Sequence, residues 1–230
     1  MNDRMPHIRA LSRRAALAGA AQALALLAAG CTQLPQIAAP AGLASPTPPA
    51  TPAPAATPGP ACLAGLPAVT RPTPIPYPGY TAVEPSTQLH VTAPPQVIEL
   101  DAYLLTVKGK VAHELTLTYD ELRCLPKIGT YARIECPGFF VDYSNLAGAS
   151  LASVLALAGP LEGASWTGFT GIDGRSSGIP LGEAQGGECF LAYEWEGEAL
   201  PVSHGFPIRA ALPGSLGGPW VKWLTAIEIS

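Results

Sequence analysis

Charge is scarce in this chain: Asp, Glu, Lys and Arg make up 13% of its 230 residues, about half the ~25% usual in soluble domains. Thirteen basic residues against 17 acidic ones leave a net charge of -4. The electrostatic footprint of a nucleic-acid binder is therefore missing, and the partners to expect are small molecules or other proteins. The five cysteines, Cys31, Cys62, Cys124, Cys136 and Cys189, include no CxxC pair, which excludes a zinc knuckle and a covalently attached c-type haem. GxSxG is absent, so a nucleophile-elbow hydrolase has no support. HExxH, GxGxxG and GxxxxGK[ST] are absent too, which removes the simplest zinc and nucleotide sites. His90, His113 and His204 stand far apart in the sequence.

What is present begins with an address. Met1 to Arg14 holds four arginines and one acid, Asp3, and Ala15 to Gly30 follows without a charge. Those sixteen residues fit a secretory apolar region and fall short of the ~20 that span a bilayer. Arg13 and Arg14 directly precede this weakly apolar, alanine-rich run, the pattern of a twin-arginine export signal. Cys31 follows Leu27-Ala28-Ala29-Gly30, a lipobox-like context in which acylation of Cys31 would fix the protein to a membrane surface. Residues 1–31 are thus expected to be an export signal. From Thr32 to Thr70 no residue is charged, and fourteen of the 26 prolines fall between Thr32 and Pro78. Such text cannot bury enough apolar surface to offset chain entropy, so residues 32–93 are expected to be a flexible tether and 94–230 the folded domain.

Within that domain, Ala102 to Lys108, Tyr131 to Glu135, Ser165 to Thr170, Cys189 to Trp195, Ile208 to Leu212 and Val221 to Ile229 have strand character. Thr118-Tyr119-Asp120-Glu121 has the T-x-x-E form of a capping box, opening a short helix that Pro126 must end. Leu151 to Ala158 predicts a buried helix stopped by Gly159-Pro160. Together these predict an α+β domain, strand-rich with few short helices.

Cys136 sits at the end of an expected strand, before Pro137-Gly138. A thiolate there suits a soft or high-valent metal, although a lone cysteine is more often a buried structural residue. Five segments then share an order. They are Ile134-Glu135-Cys136-Pro137-Gly138, Gly171-Ile172-Asp173-Gly174, Leu191-Ala192-Tyr193-Glu194, His204-Gly205-Phe206-Pro207-Ile208-Arg209 and Val221-Lys222-Trp223-Leu224. In order and spacing they resemble the sulfite oxidase superfamily of molybdopterin-dependent oxidoreductases, which includes eukaryotic sulfite oxidases and bacterial periplasmic methionine sulfoxide reductases.

That resemblance implies a sulfite oxidase-type molybdopterin-binding domain carrying a molybdenum-molybdopterin cofactor. It implies that Cys136 is the metal's protein ligand, that His204 and Arg209 hold the pterin phosphate, and that Asp173, Lys222 and His90 contact the cofactor. Tyr193 would stand at the reacting centre with Cys136. Each residue has a plainer alternative: His204 could organise a turn, Arg209 could pair with Glu194 or Glu228, and Tyr193 could be core. The departures concern substrate. Phe139-Phe140 follows the cysteine segment where sulfite oxidases carry a basic residue, Arg175 is the nearest candidate for an anion group, and Pro219-Trp220 precedes Val221. These changes point away from sulfite.

The resulting expectation is an exported, lipid-anchored enzyme that transfers an oxygen atom on a small-molecule substrate and exchanges electrons with a cytochrome or another redox partner. The alternative is a non-catalytic pterin- or ligand-binding lipoprotein of the same fold. Replacing Arg13 and Arg14 together with lysine is expected to retain the protein in the cytoplasm, as read by fractionation; unchanged export would remove the folded-export reading.

Overall fold

The computed structural model describes residues 60–230. The expected export signal and residues 32–59 of the expected tether lie outside them. The first described element is a short helix, α1 (Pro60–Gly65), and then the chain runs without regular structure to a small hairpin, β1 (Ala82–Val83) and β2 (His90–Val91). β3 (Leu104–Gly109) and β4 (Leu115–Thr118) form the next hairpin and lead into α2 (Tyr119–Arg123). The expected capping box is there: Thr118 Oγ1 accepts from Glu121 N at 3.2 Å, and Glu121 Oε2 accepts from Thr118 N at 2.8 Å.

The long hairpin β5 (Lys127–Cys136) and β6 (Phe140–Ser150) comes next, followed by α3 (Leu151–Ala158). Leu151, Val154, Leu155 and Ala158 give α3 one wholly buried face, the i, i+3, i+4, i+7 spacing of a core helix. Gly159, in the left-handed conformation, ends it. β7 (Trp166–Gly171), β8 (Ser176–Pro180), α4 (Leu181–Ala184), β9 (Phe190–Trp195), β10 (Glu198–Ala199), β11 (Arg209–Ala211) and β12 (Leu224–Ile229) complete the chain.

Two larger sheets result. One has the order β10-β9-β6-β5 with β11 also paired to β9; the other has the order β4-β3-β12-β7-β8, in which only β3 and β12 run parallel. Trp223, Phe169, Phe190, Leu105, Leu155 and Ile227 belong to one continuous core, and Tyr103 inside it donates its hydroxyl to Leu224 O at 2.7 Å. The strand-rich α+β expectation holds.

Two of the differences from the sequence reading bear on the site. β6 was not expected, because its pattern is inverted: Asp142 and Ser144 are buried while Val141 and Tyr143 are exposed. The folded region also begins before residue 94. Cys62 is disulfide-bonded to Cys124, Arg71 pairs with Glu99, and Glu84 is buried. From residue 60 on, covalent and polar ties hold a Pro-rich segment that has too little apolar surface to hold itself.

β6 and β9 approach closely at Gly148, where an added Cβ would stand 1.9 Å from Leu191 O and 2.6 Å from Ala192 Cα. Gly148→Ala is therefore expected to destabilise the domain by about 2 kcal/mol or more, measured as a lower urea midpoint at unchanged slope.

Candidate cofactor site

A cavity of about 220 Å³ opens where the ends of both sheets meet the β1–β2 hairpin. The β5–β6 hairpin supplies one wall. Cys136 stands directly opposite Phe140 and Ile134 opposite Asp142, and directly opposed residues share a face, so these four side chains line the cavity together. The free thiol of Cys136 is half-buried, so Cys136 is not a core cysteine. The turn between β7 and β8 brings Asp173 and Arg175, and β11 brings Arg209. The stretch between β11 and β12 brings Gly217, Gly218, Trp220 and Lys222.

Arg209 and Lys222 are both buried, at 6% and 8% exposure. Neither Glu194 nor Glu228 meets Arg209; they pair with Lys127 and Lys108. Among the described residues no carboxylate lies within ion-pair distance of Arg209 or Lys222. Arg209 Nη1 donates to His204 O at 3.2 Å and Lys222 Nζ to Ser203 O at 2.9 Å, while Arg209 Nε has no partner. Aromatic faces give partial compensation: Arg209 lies 5.6 Å from the Trp220 ring and Lys222 4.5 Å from the Trp223 ring. Burial pulls the Lys222 ammonium down to about 7, reinforced by repulsion from Arg209, and burial brings the Arg209 guanidinium down to about 10.

Local geometry enforces this crowding. Gly205 has φ 114°, and a Cβ there would lie 3.0 Å from Arg209 Cβ and 3.2 Å from Lys222 Cβ. Trp223 takes φ 50°, a region that costs a bulky residue about 1–2 kcal/mol. Its indole N–H donates to Val202 O at 2.8 Å and its carbonyl accepts from Ile172 N at 2.9 Å, which holds the turn that presents Lys222.

His204 and His90 each meet a carboxylate. His204 Nε2 is 2.9 Å from Glu84 Oε2 and 3.1 Å from Thr87 Oγ1. An ionised carboxylate only accepts, so Nε2 carries the proton and Nδ1 is the nitrogen left for a ligand. Burial lowers the His204 pKa, and the Glu84 bond opposes that. Burial alone would raise the Glu84 carboxyl; hydrogen bonds from His204, Ser203 and Ser86 outweigh it and bring it to about 2. His90 donates its backbone N–H to Asp142 Oδ2 at 2.8 Å and its ring Nδ1–H to Oδ1 at 2.7 Å, and it stacks on Phe140 at 4.4 Å.

The cavity thus gathers Cys136, His90, Asp173, His204, Arg209 and Lys222. Tyr193 does not line it. Arg209 stands directly opposite Ala192 on β9, so Tyr193, one residue on, projects from the other face. It is buried there, edge-on to Tyr119 at 6.2 Å. Sequence reasoning missed Asp142, Glu84, Thr87 and Trp220. A lone acid in a Pro-rich stretch was the available signal for Glu84.

The family model for the oxidoreductase molybdopterin binding domain matches residues 90–230. The chain belongs to this molybdopterin-binding family. It is 30% identical to a sulfite oxidase of Gallus gallus over 63% of this chain and 38% of that protein. It is 28% identical to an NADH nitrate reductase of Ulva prolifera over 58% of this chain and 19% of that protein. Among solved structures, the sulfane dehydrogenase SoxCD from Paracoccus pantotrophus matches with a TM-score of 0.57 and 25% identity, over 61% of this chain and 41% of that chain. The chain therefore spans less than half the length of each of these relatives. Membership of the molybdopterin-binding family implies a molybdenum-molybdopterin cofactor, and the residues present fit one. Two buried cations and the unpartnered Arg209 Nε are suited to a phosphate. The single free thiol on the wall is suited to a soft metal. Among the described residues no cluster of three or more His, Cys, Asp or Glu could hold a metal ion.

The depressed Lys222 pKa makes a prediction about the cofactor-free protein. Unfolded, Lys222 keeps its proton to its ordinary range near 10.5, whereas folded it releases it at about 7. The unfolded state therefore binds more protons between those values, and stability rises with pH. The melting temperature is expected to climb from pH 7 to pH ~9, and Lys222→Met is expected to flatten that rise.

Proposed function

We propose that this protein is an exported molybdenum-pterin oxidoreductase that transfers an oxygen atom to or from a small substrate and exchanges electrons with a separate redox protein. One observation carries the reading: a free thiol and two buried cations with no ion-pair partner among the described residues face a single cavity. When bound, the cofactor supplies the two-electron and oxygen-atom chemistry. The chain supplies the rest. Cys136 offers a thiolate from the strand end, Arg209, Lys222 and His204 hold the phosphate, and Asp173 accepts from pterin N–H groups. The His90–Asp142 pair fixes the His90 proton on Nδ1 and leaves Nε2 to take or give a proton. Phe140 stacked on His90 and Tyr80 give the lining an apolar side, while Arg175 on the same lining keeps a charged group available to an anionic substrate.

Export has independent support in the Cys62–Cys124 disulfide, since such bonds persist in oxidising compartments. Arg13, Arg14 and the lipobox-like Cys31 are the corresponding features of the leader, and acylation of Cys31 would set the enzyme on the extracytoplasmic face of a membrane.

Cys136→Ser replaces the thiolate with a hard hydroxyl of similar volume. Pterin content and melting temperature are expected to stay near wild type. Turnover, assayed with a sulfoxide and with sulfite against a dye electron carrier, is expected to fall by more than the roughly 10–100-fold typical of an outer-shell partner. A pterin-loaded variant with full turnover would refute the metal-ligand role, whereas pterin-loaded wild-type protein without turnover would favour a binding module.

A further inference from the structure

The segment ahead of β2 closes over the cavity although its first part contributes little burial of its own. Between Cys62 and Val83 no residue is buried, and Glu84 is the first that is. Three ties fix its start: the Cys62–Cys124 disulfide at the end of α2, Arg123 Nη2 donating to Pro67 O at 2.9 Å, and the Arg71–Glu99 pair. Its far end is fixed by Glu84, which bonds His204, Ser203 and Ser86, and by the two His90–Asp142 bonds. Tyr80, Leu89 and His90 from this segment line the cavity. Apart from its last four residues, it lies outside the stretch that the family model matches.

We propose that residues 60–93 form a clasp that retains the cofactor after loading, locked by the Cys62–Cys124 disulfide and with Glu84 as the positioning residue for His204. The proposal rests on the cofactor reading above. In the reducing cytoplasm both thiols are free, the start of the clasp is tied down only by the exposed contacts of Arg71 and Arg123, and the cavity can be filled. After export the two thiols lose two protons and two electrons to a disulfide-carrying oxidant, which is reduced to its dithiol while the Cys62–Cys124 bond forms. The new link closes a loop with a sequence separation of 62 residues, which removes much of the freedom of the open clasp. Glu84 then keeps the His204 Nε2 proton in place, so that Nδ1 faces the ligand.

The test follows pterin release from the full-length loaded protein by fluorescence, together with limited proteolysis. Reduction with dithiothreitol is expected to speed release by about tenfold or more and to open residues 67–79 to cleavage. The Cys62→Ser/Cys124→Ser protein is expected to release at the reduced rate with or without reductant. Glu84→Gln is expected to speed release while the disulfide and protease resistance persist, and Glu84→Asp is expected to restore retention in part. Equal release rates for the oxidised, reduced and double-serine proteins would overturn the clasp while leaving the cofactor reading standing. Wild-type retention by Glu84→Gln would overturn the positioning role. Protein that carries no pterin in any form would overturn both readings.

Discussion

The constraint on which the site depends is the burial of Arg209 and Lys222 with no carboxylate of the described residues in ion-pair contact. Taking an ion out of water is costly unless something compensates, and here the direct contacts are carbonyl oxygens and ring faces, while Asp142 and Asp173 act from beyond ion-pair distance. The depressed pKa values of both groups express that cost. An arrangement of this kind makes sense when the counter-charge arrives with a ligand. The protein then holds preorganised donors, and the ligand completes the charge balance that folding leaves open.

Other features serve the same arrangement. Gly205 lets Arg209 and Lys222 pack against one backbone turn, and the strained Trp223 presents Lys222 from behind. Such strain persists only where the surroundings fix it, here through bonds to Val202 and Ile172. The β5–β6 hairpin reverses the usual pattern, with Asp142 and Ser144 inward and the stacked pair Tyr131 and Tyr143 outward. A polar interior face on a long strand is unfavourable for folding alone and useful beside a polar ligand.

Much of this was legible in the sequence. The capping box at Thr118, the buried face of α3 and its Gly159 stop are local signals, and they appear as expected. Cys136, Asp173, His204, Arg209 and Lys222 stand within the five recognisable segments, His90 stands outside them, and all six converge on one cavity. Tyr193 also belongs to such a segment, yet strand alternation turns it away, because motif membership does not say which face a residue takes. β6 was hidden because sequence patterning assumes that polar residues face water. Glu84 was hidden because its importance comes from a partner 120 positions later in the chain, and composition marked its neighbourhood as tether. The disulfide could not be read from spacing, since five scattered cysteines leave the pairing open.

The central claim is that this cavity binds a molybdenum-pterin group through buried cations and one thiolate. The most direct test is elemental analysis combined with pterin fluorescence on purified full-length protein. Molybdenum and pterin present together, in near-equal amount to the folded protein, is the result this account predicts. Correctly folded protein that contains neither would contradict it.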